Sequence, residues 1–245
     1  MEELRTEAKT AVRLETWDAL RDAGAARFPG VKGRIPNFVG AERAAERLAT
    51  LPEWAAARVV KANPDSPQWP VRTRGVAEGK RLFMAVPRLA GDAPFLLLEE
   101  DRLHVAPRTA TSIKGSAVHA TPTPLDTVDR IDLIVCGTVA VDPDGRRVGK
   151  GGGFSDLEFG LLTEVGLVDE HTVIATTVHP TQVLEGPLPE TEHDFRVDLI
   201  VTPEEVIRTP APKRPAGILR NHLTLEKIEE IPPLRRLLAE RDATA

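Results

Sequence analysis

Five short runs rich in Val, Ile and Leu constrain the fold of this chain more than any other feature. They lie at 58–61, 81–86, 132–135, 172–177 and 197–201, with helical stretches between several of them. Strands this short and apolar suit a sheet buried on both faces, as in parallel sheets sandwiched by helices. The expected fold is therefore a three-layer α/β/α domain with a mostly parallel sheet. Upstream, residues 2–27 read as a charged, Ala-rich helix in which Lys9 and Arg13 stand at i,i+4, roughly opposite Leu4 and Ala11. Ala44, Ala45, Leu48 and Leu51 mark a second helix over 41–51. The Thr/Ser/Pro-rich stretch 105–128 reads as a loop long enough for an active-site wall or lid. A last helix, around 223–236, is interrupted by Pro232-Pro233. The expected division is one α/β domain over 1–207 with a C-terminal extension, carrying a short helix, over 208–245.

Chemistry concentrates at 146–158, where Gly149, Gly151, Gly152 and Gly153 follow the third apolar run and precede a helical pattern. Glycines at this density let backbone N–H groups close on an anion, and a helix N-terminus favours negative charge. Arg147 and Lys150 supply cations, and Asp156 is available to a metal. Ser155 and Glu158 have capping-box spacing, with Leu157, Leu161, Leu162 and Val165 as the apolar stripe. The loop is not a P-loop, because no Gly-Lys-Ser/Thr closes it, and it lacks the third glycine of the dinucleotide fingerprint. A ligand-free glycine turn is the plain alternative.

Composition narrows the function classes. A net charge of −5 argues against non-specific nucleic-acid binding. The single cysteine, Cys136, sits in an apolar run and reads as an inert buried thiol. No apolar stretch approaches the roughly 18 residues of a membrane span, and the charged N-terminus is unlike a signal peptide. The cytoplasm is the expected location. The six histidines show no zinc-ligand spacing, and no Gly-x-Ser-x-Gly elbow is present. Trp69, followed by Pro70 and Arg72, could stack on a flat ring or simply pack a loop.

Taken together, Lys9-Thr10-Ala11-Val12-Arg13 and the loop from Arg147 through Asp156 resemble the 5-formyltetrahydrofolate cyclo-ligase (methenyltetrahydrofolate synthetase) family. Its members open on a helix with Lys-x-x-x-Arg and later carry Arg-Leu-Gly-x-Gly-x-Gly-x-x-Asp. Gln182, His193-Asp194, Asp198 and Thr202-Pro203 also fall where the family places such residues, so the resemblance spans about 5–207. The branch of methenyltetrahydrofolate synthetase domain-containing proteins is closer. It shares Arg34 to Phe38, Lys61-Ala62-Asn63-Pro64-Asp65, Pro67 to Arg72, and the tail from Lys213 to Pro232.

The resemblance implies the fold of sugar-phosphate isomerases and CoA transferases. It also implies ATP- and Mg²⁺-dependent closure of 5-formyltetrahydrofolate to 5,10-methenyltetrahydrofolate. Lys9 and Arg13 would bind nucleotide phosphates, with Gly149, Gly151, Gly152 and Gly153 wrapped around them. Arg147 and Lys150 would be catalytic, Asp156 would hold Mg²⁺, and Trp69 and Arg72 would contact a reduced folate. The chain departs from the family at Phe154-Ser155, where two tyrosines are usual, and at Leu157, where an arginine is usual. No RNP-like aromatic sequence is present, so no dedicated RNA-binding module is expected. Two rival readings keep the nucleotide loop. One is a family member acting on another substrate; the other is a folate- or nucleotide-binding regulatory protein without turnover.

Overall fold

All five apolar runs form strands in the computed structural model, which describes residues 2–210 and 213–244. The chain begins with α1 (Glu2–Asp22), α2 (Ala41–Ala49), α3 (Pro52–Ala56), β1 (Val59–Ala62), α4 (Trp69–Ala77) and β2 (Arg81–Ala85). Next come β3 (Phe95–Leu98), α5 (Pro107–Ala110), α6 (Ile113–His119), β4 (Thr121–Thr123), β5 (Leu133–Cys136), β6 (Ala140–Val141) and β7 (Arg147–Val148). The final elements are α7 (Phe154–Glu164), β8 (Val173–Thr177), β9 (Leu199–Val201), β10 (Val206–Arg208), α8 (Leu225–Glu230) and α9 (Pro232–Thr244).

Eight strands make one sheet in the order β10-β9-β8-β5-β1-β2-β3-β4. The central strands β9, β8, β5, β1 and β2 are mutually parallel, whereas β10, β3 and β4 join antiparallel at the two margins. The sheet is therefore mixed but mostly parallel, as expected. Alternate residues enter two separate cores. Val60, Leu133, Val135 and Ala175 pack under Leu48, Trp54 and Val71 from α2, α3 and α4. Phe83, Ile134, Cys136 and Ile174 pack under Phe159 and Leu162 of α7 and Leu234 of α9. Helices thus cover both faces, giving the three layers. Cys136 is a buried free thiol whose pKa is pushed up by burial.

Three expectations are corrected. Residues 105–128 are not one loop: they form α5, α6 and β4, and Thr111 O and Arg108 O accept bonds from Arg72 and Trp69 at 3.0 Å each. Ser155 and Glu158 do not form a capping box; Gly153 is the N-cap of α7, with φ 68°, and no side chain caps it. In α1 the charged pair does not lie opposite the buried side. Thr16, Trp17 and Leu20 are buried while Leu4 is 68% exposed, and Lys9 and Arg13 reach protein partners.

Candidate functional site

The parallel strands run outward from β1, with β2 on one side and β5, β8 and β9 on the other, so connections leave β1 in opposite directions. In open α/β sheets that divergence opens a crevice beyond the carboxyl ends of the strands, the usual place for a ligand. Asn63 and Asp65 follow β1 there, and Gly137 follows β5. From Gly137 the chain runs into the β6–β7 hairpin, whose second strand delivers Arg147 and then the glycine loop. Gln182, fully buried after β8, donates to Thr138 O at 2.9 Å and Val139 O at 3.0 Å and so fastens the hairpin's base.

The loop is shaped for an anion. Gly151 (φ 107°) and Gly153 (φ 68°) adopt the left-handed conformations that favour glycine. The first backbone bond of α7 runs from Leu157 N to Gly153 O at 3.0 Å. Among the described residues, the N–H groups from Gly151 to Asp156 donate to no backbone acceptor. They stand at the positive end of an eleven-residue helix. Arg13 lies along the loop, its Nε donating to Gly149 O at 2.7 Å and its guanidinium 3.4 Å from where a Gly151 Cβ would stand. Lys150, half exposed, pairs with Asp65 at 3.2 Å.

Beneath the loop lies a charged cluster. Arg147 is buried, with its Nη2 2.7 Å from Asp156 Oδ1 and its guanidinium 4.0 Å from the centre of the Phe195 ring. Burial pushes the Asp156 carboxyl above its ordinary pKa, and Arg147 offsets only part of that. Lys9 donates to Asp194 Oδ2 at 2.5 Å and to Thr191 Oγ1 at 3.2 Å. For Asp194, burial pulls the pKa up, but Lys9 and the bonds from Thr191 outweigh it and leave the carboxyl below its usual range. A small pocket of about 120 Å³ opens beside Asp156, between Gly152, Gly153 and the tail residues Ile218 to Lys227. A second cavity, about 490 Å³, lies at the opposite, amino ends of β5 and β8 and shares no residue with the loop.

Lys9, Arg13, Arg147, Lys150, Asp156 and the four glycines are thus gathered around one crevice. Arg72 lies within the protein's own packing. It is 1% exposed, and its guanidinium donates to the carbonyls of Asn63 (2.5 Å), Asp65 (3.0 Å) and Thr111 (3.0 Å). It braces the chain after β1. Trp69 is half-buried with its ring covered by the Arg108 guanidinium at 4.3 Å. Lys61, Asn63 and Asp65 had no assigned role, yet each anchors the loop. Lys61 forms a buried ion pair with Glu158 of α7, Asn63 Nδ2 donates to Ser155 Oγ at 3.0 Å, and Asp65 holds Lys150. A lysine inside an otherwise apolar strand was the available signal, because a buried cation requires a partner.

The sequence matches a known family. A profile of the 5-formyltetrahydrofolate cyclo-ligase family aligns with residues 5–203, most of the chain. The chain belongs to that family. Among its relatives, the bovine methenyltetrahydrofolate synthase domain-containing protein is 38% identical over 238 residues, covering 94% of this chain and 62% of its own length. The mouse protein of that name is 37% identical over 246 residues, covering 97% of this chain and 65% of its own length. The chain therefore spans just under two thirds of these relatives. The NMR structure of Aquifex aeolicus 5,10-methenyltetrahydrofolate synthetase superposes with a TM-score of 0.54 at 20% identity, over 89% of this chain and 98% of that one. That likeness is one of fold. No helix among the described residues is long and apolar enough to cross a membrane.

Proposed function

We propose that this chain is an ATP- and Mg²⁺-dependent ligase that closes 5-formyltetrahydrofolate to 5,10-methenyltetrahydrofolate. The observation that carries the reading is the run of free amides from Gly151 to Asp156, with Arg13 laid along it. Such a cradle fits nucleotide phosphates, and its donor set is that of a phosphoryl-transfer site, where positioning and charge neutralisation do most of the work. Asp156 fits Mg²⁺, an ion that commonly takes one or two carboxylates together with phosphate oxygens and water. Bound ATP would supply a phosphoryl group to the formyl oxygen, making that carbon a target for N10 and giving phosphate a route to leave.

The chain's own residues divide the remaining tasks. Arg13 and the loop amides hold phosphate oxygens, and Lys9, an ammonium with two of its three donors on Thr191 and Asp194, has a third available to them. Lys150 exchanges Asp65 for the charge that develops during transfer. Arg147 pairs with Asp156 and offsets part of the burial that pushes its carboxyl up, and a bound cation would favour the carboxylate further. The test is absorbance of the methenyl product with 5-formyltetrahydrofolate, ATP and Mg²⁺. Product that needs ATP and disappears in Lys150→Ala supports the reading. No product, with ATP binding retained, leaves a nucleotide site serving another substrate.

A further inference from the structure

The family profile stops at residue 203, yet one wall of the pocket beside Asp156 comes from Gly217 to Lys227. That wall is held firmly. Ile218 N donates to Glu164 Oε1 at 2.9 Å, Lys213 Nζ to Thr191 O at 2.8 Å, and Arg214 to Asp198 Oδ2 at 2.5 Å. Gly160 of α7 faces Gly217 so closely that a Cβ would stand 3.2 Å from its carbonyl oxygen. Lys227 sits 3.6 Å from the centre of the Phe154 ring, over the first residue of α7.

His222 on this wall is joined to the phosphate-facing cation by a continuous chain of bonds. Its Nδ1 is 2.9 Å from His193 Nδ1, and His193 Nε2 is 3.0 Å from Thr191 Oγ1, which accepts from Lys9 at 3.2 Å. An Nδ1···Nδ1 contact needs one N–H and one lone pair, so the two imidazoles take complementary tautomers and hold each other's ring orientation. His193 in turn fixes the Thr191 hydroxyl, and Thr191 with Asp194 aims Lys9.

We propose that His222 is a positioning residue for the nucleotide site, acting through His193 and Thr191 on Lys9, and that Gly217–Lys227 is a working wall of the reaction pocket. The inference rests on the reading of Lys9 as a phosphate ligand. The test is ATP and Mg²⁺ calorimetry on the full chain, comparing wild type with His222→Phe and His222→Asn, alongside ¹⁵N spectra of the imidazoles. Phenylalanine keeps the wall's bulk without the bond; asparagine carries a donor or acceptor near the position of Nδ1. His222→Phe is expected to weaken ATP binding roughly fivefold to tenfold, equivalent to loss of one modest hydrogen-bonded constraint. It should also shift the His193 nitrogen signals, whereas His222→Asn restores affinity to within about twofold of wild type. Wild-type affinity in His222→Phe overturns the inference, as does equal weakening in both variants, which would mean that only the wall's shape counts. A wild-type chain that binds no nucleotide overturns the phosphate reading first and this inference with it.

Discussion

Replacing Arg72 with Met separates a brace from a substrate contact. The substitution keeps an aliphatic stem and removes the guanidinium, leaving the carbonyls of Asn63, Asp65 and Thr111 without their donor. Bonds from a charged donor contribute about 1.5–3 kcal/mol each. Against them stands the withdrawal of the cation from water, which draws the Arg72 pKa down to about 10 and corresponds to about 3 kcal/mol. Three bonds outweigh that penalty, so the variant should lose about 3 kcal/mol, in line with other cases where half of a buried polar pairing is removed. In a chain of this size that lowers the melting temperature by roughly 10 °C. Urea denaturation gives the free energy and calorimetry the ATP affinity; both should fall, because the braced segment carries Asp65 and its hold on Lys150. A variant with stability within about 0.5 kcal/mol of wild type but a raised KM for the folate would refute the argument. It would return Arg72 to the substrate pocket.

Asp156→Asn removes the counter-charge of buried Arg147 and should destabilise the fold by about 3 kcal/mol, while abolishing the Mg²⁺ dependence of ATP binding in calorimetry. Unchanged nucleotide affinity with and without Mg²⁺ would take Asp156 out of the site. Gly151→Ala forces a Cβ onto a backbone at φ 107°, a strain of about 1–2 kcal/mol, and toward Arg13. Titration with a fluorescent nucleotide should show roughly tenfold weaker binding, and wild-type affinity would mean that the loop tolerates another shape. Asp194 has a lowered folded pKa, so its stabilisation is present above the unfolded carboxylate value of about 3.9 and is lost as pH falls through the folded one. Acid-unfolding curves of wild type and Asp194→Asn should therefore converge below about pH 4 and separate above it. Curves that stay parallel throughout would contradict this.

Local sequence carried most of the fold and only part of the site. β1, β2, β5, β8 and β9 were legible because a doubly covered strand is apolar at consecutive positions. β3, β4 and β10 escaped notice; β4 and β10 are the edge strands, and β4 contains Pro122 within a stretch dominated by Thr and Pro. The glycine loop was legible because backbone conformation restricts residue choice there. Lys9 and Arg13 were not legible from periodicity, since a charged i,i+4 pair on a helix is ordinarily a solvated face. The partnerships beneath the loop were invisible for a different reason. Lys61 meets Glu158, Asn63 meets Ser155, and His193 meets His222 across long stretches of chain, and no local pattern encodes which remote residue answers a buried charge.

Those remote partnerships account for how one crevice can be built from both ends of the chain. α1 brings Lys9 and Arg13, the segment after β1 brings Asp65, the hairpin brings Arg147, and the tail brings His222. Apolar packing alone would hold these elements together but would tolerate small slips between them. A buried ion pair does not: displacing α7 from β1 leaves Lys61 or Glu158 charged and unpaired in the core, which is penalised far more than a lost methylene contact. Burial pushes Glu158 up in pKa despite Lys61, and a buried ion pair is in general a weak source of net stability. Its effect is on register. With α7 locked to β1 at Lys61 and to the same segment through Asn63 and Ser155, the start of α7 and the glycine loop before it are fixed relative to the strand ends. The proposed phosphoryl transfer would need that constancy more than extra stability, because such catalysis is mostly the placement of charge.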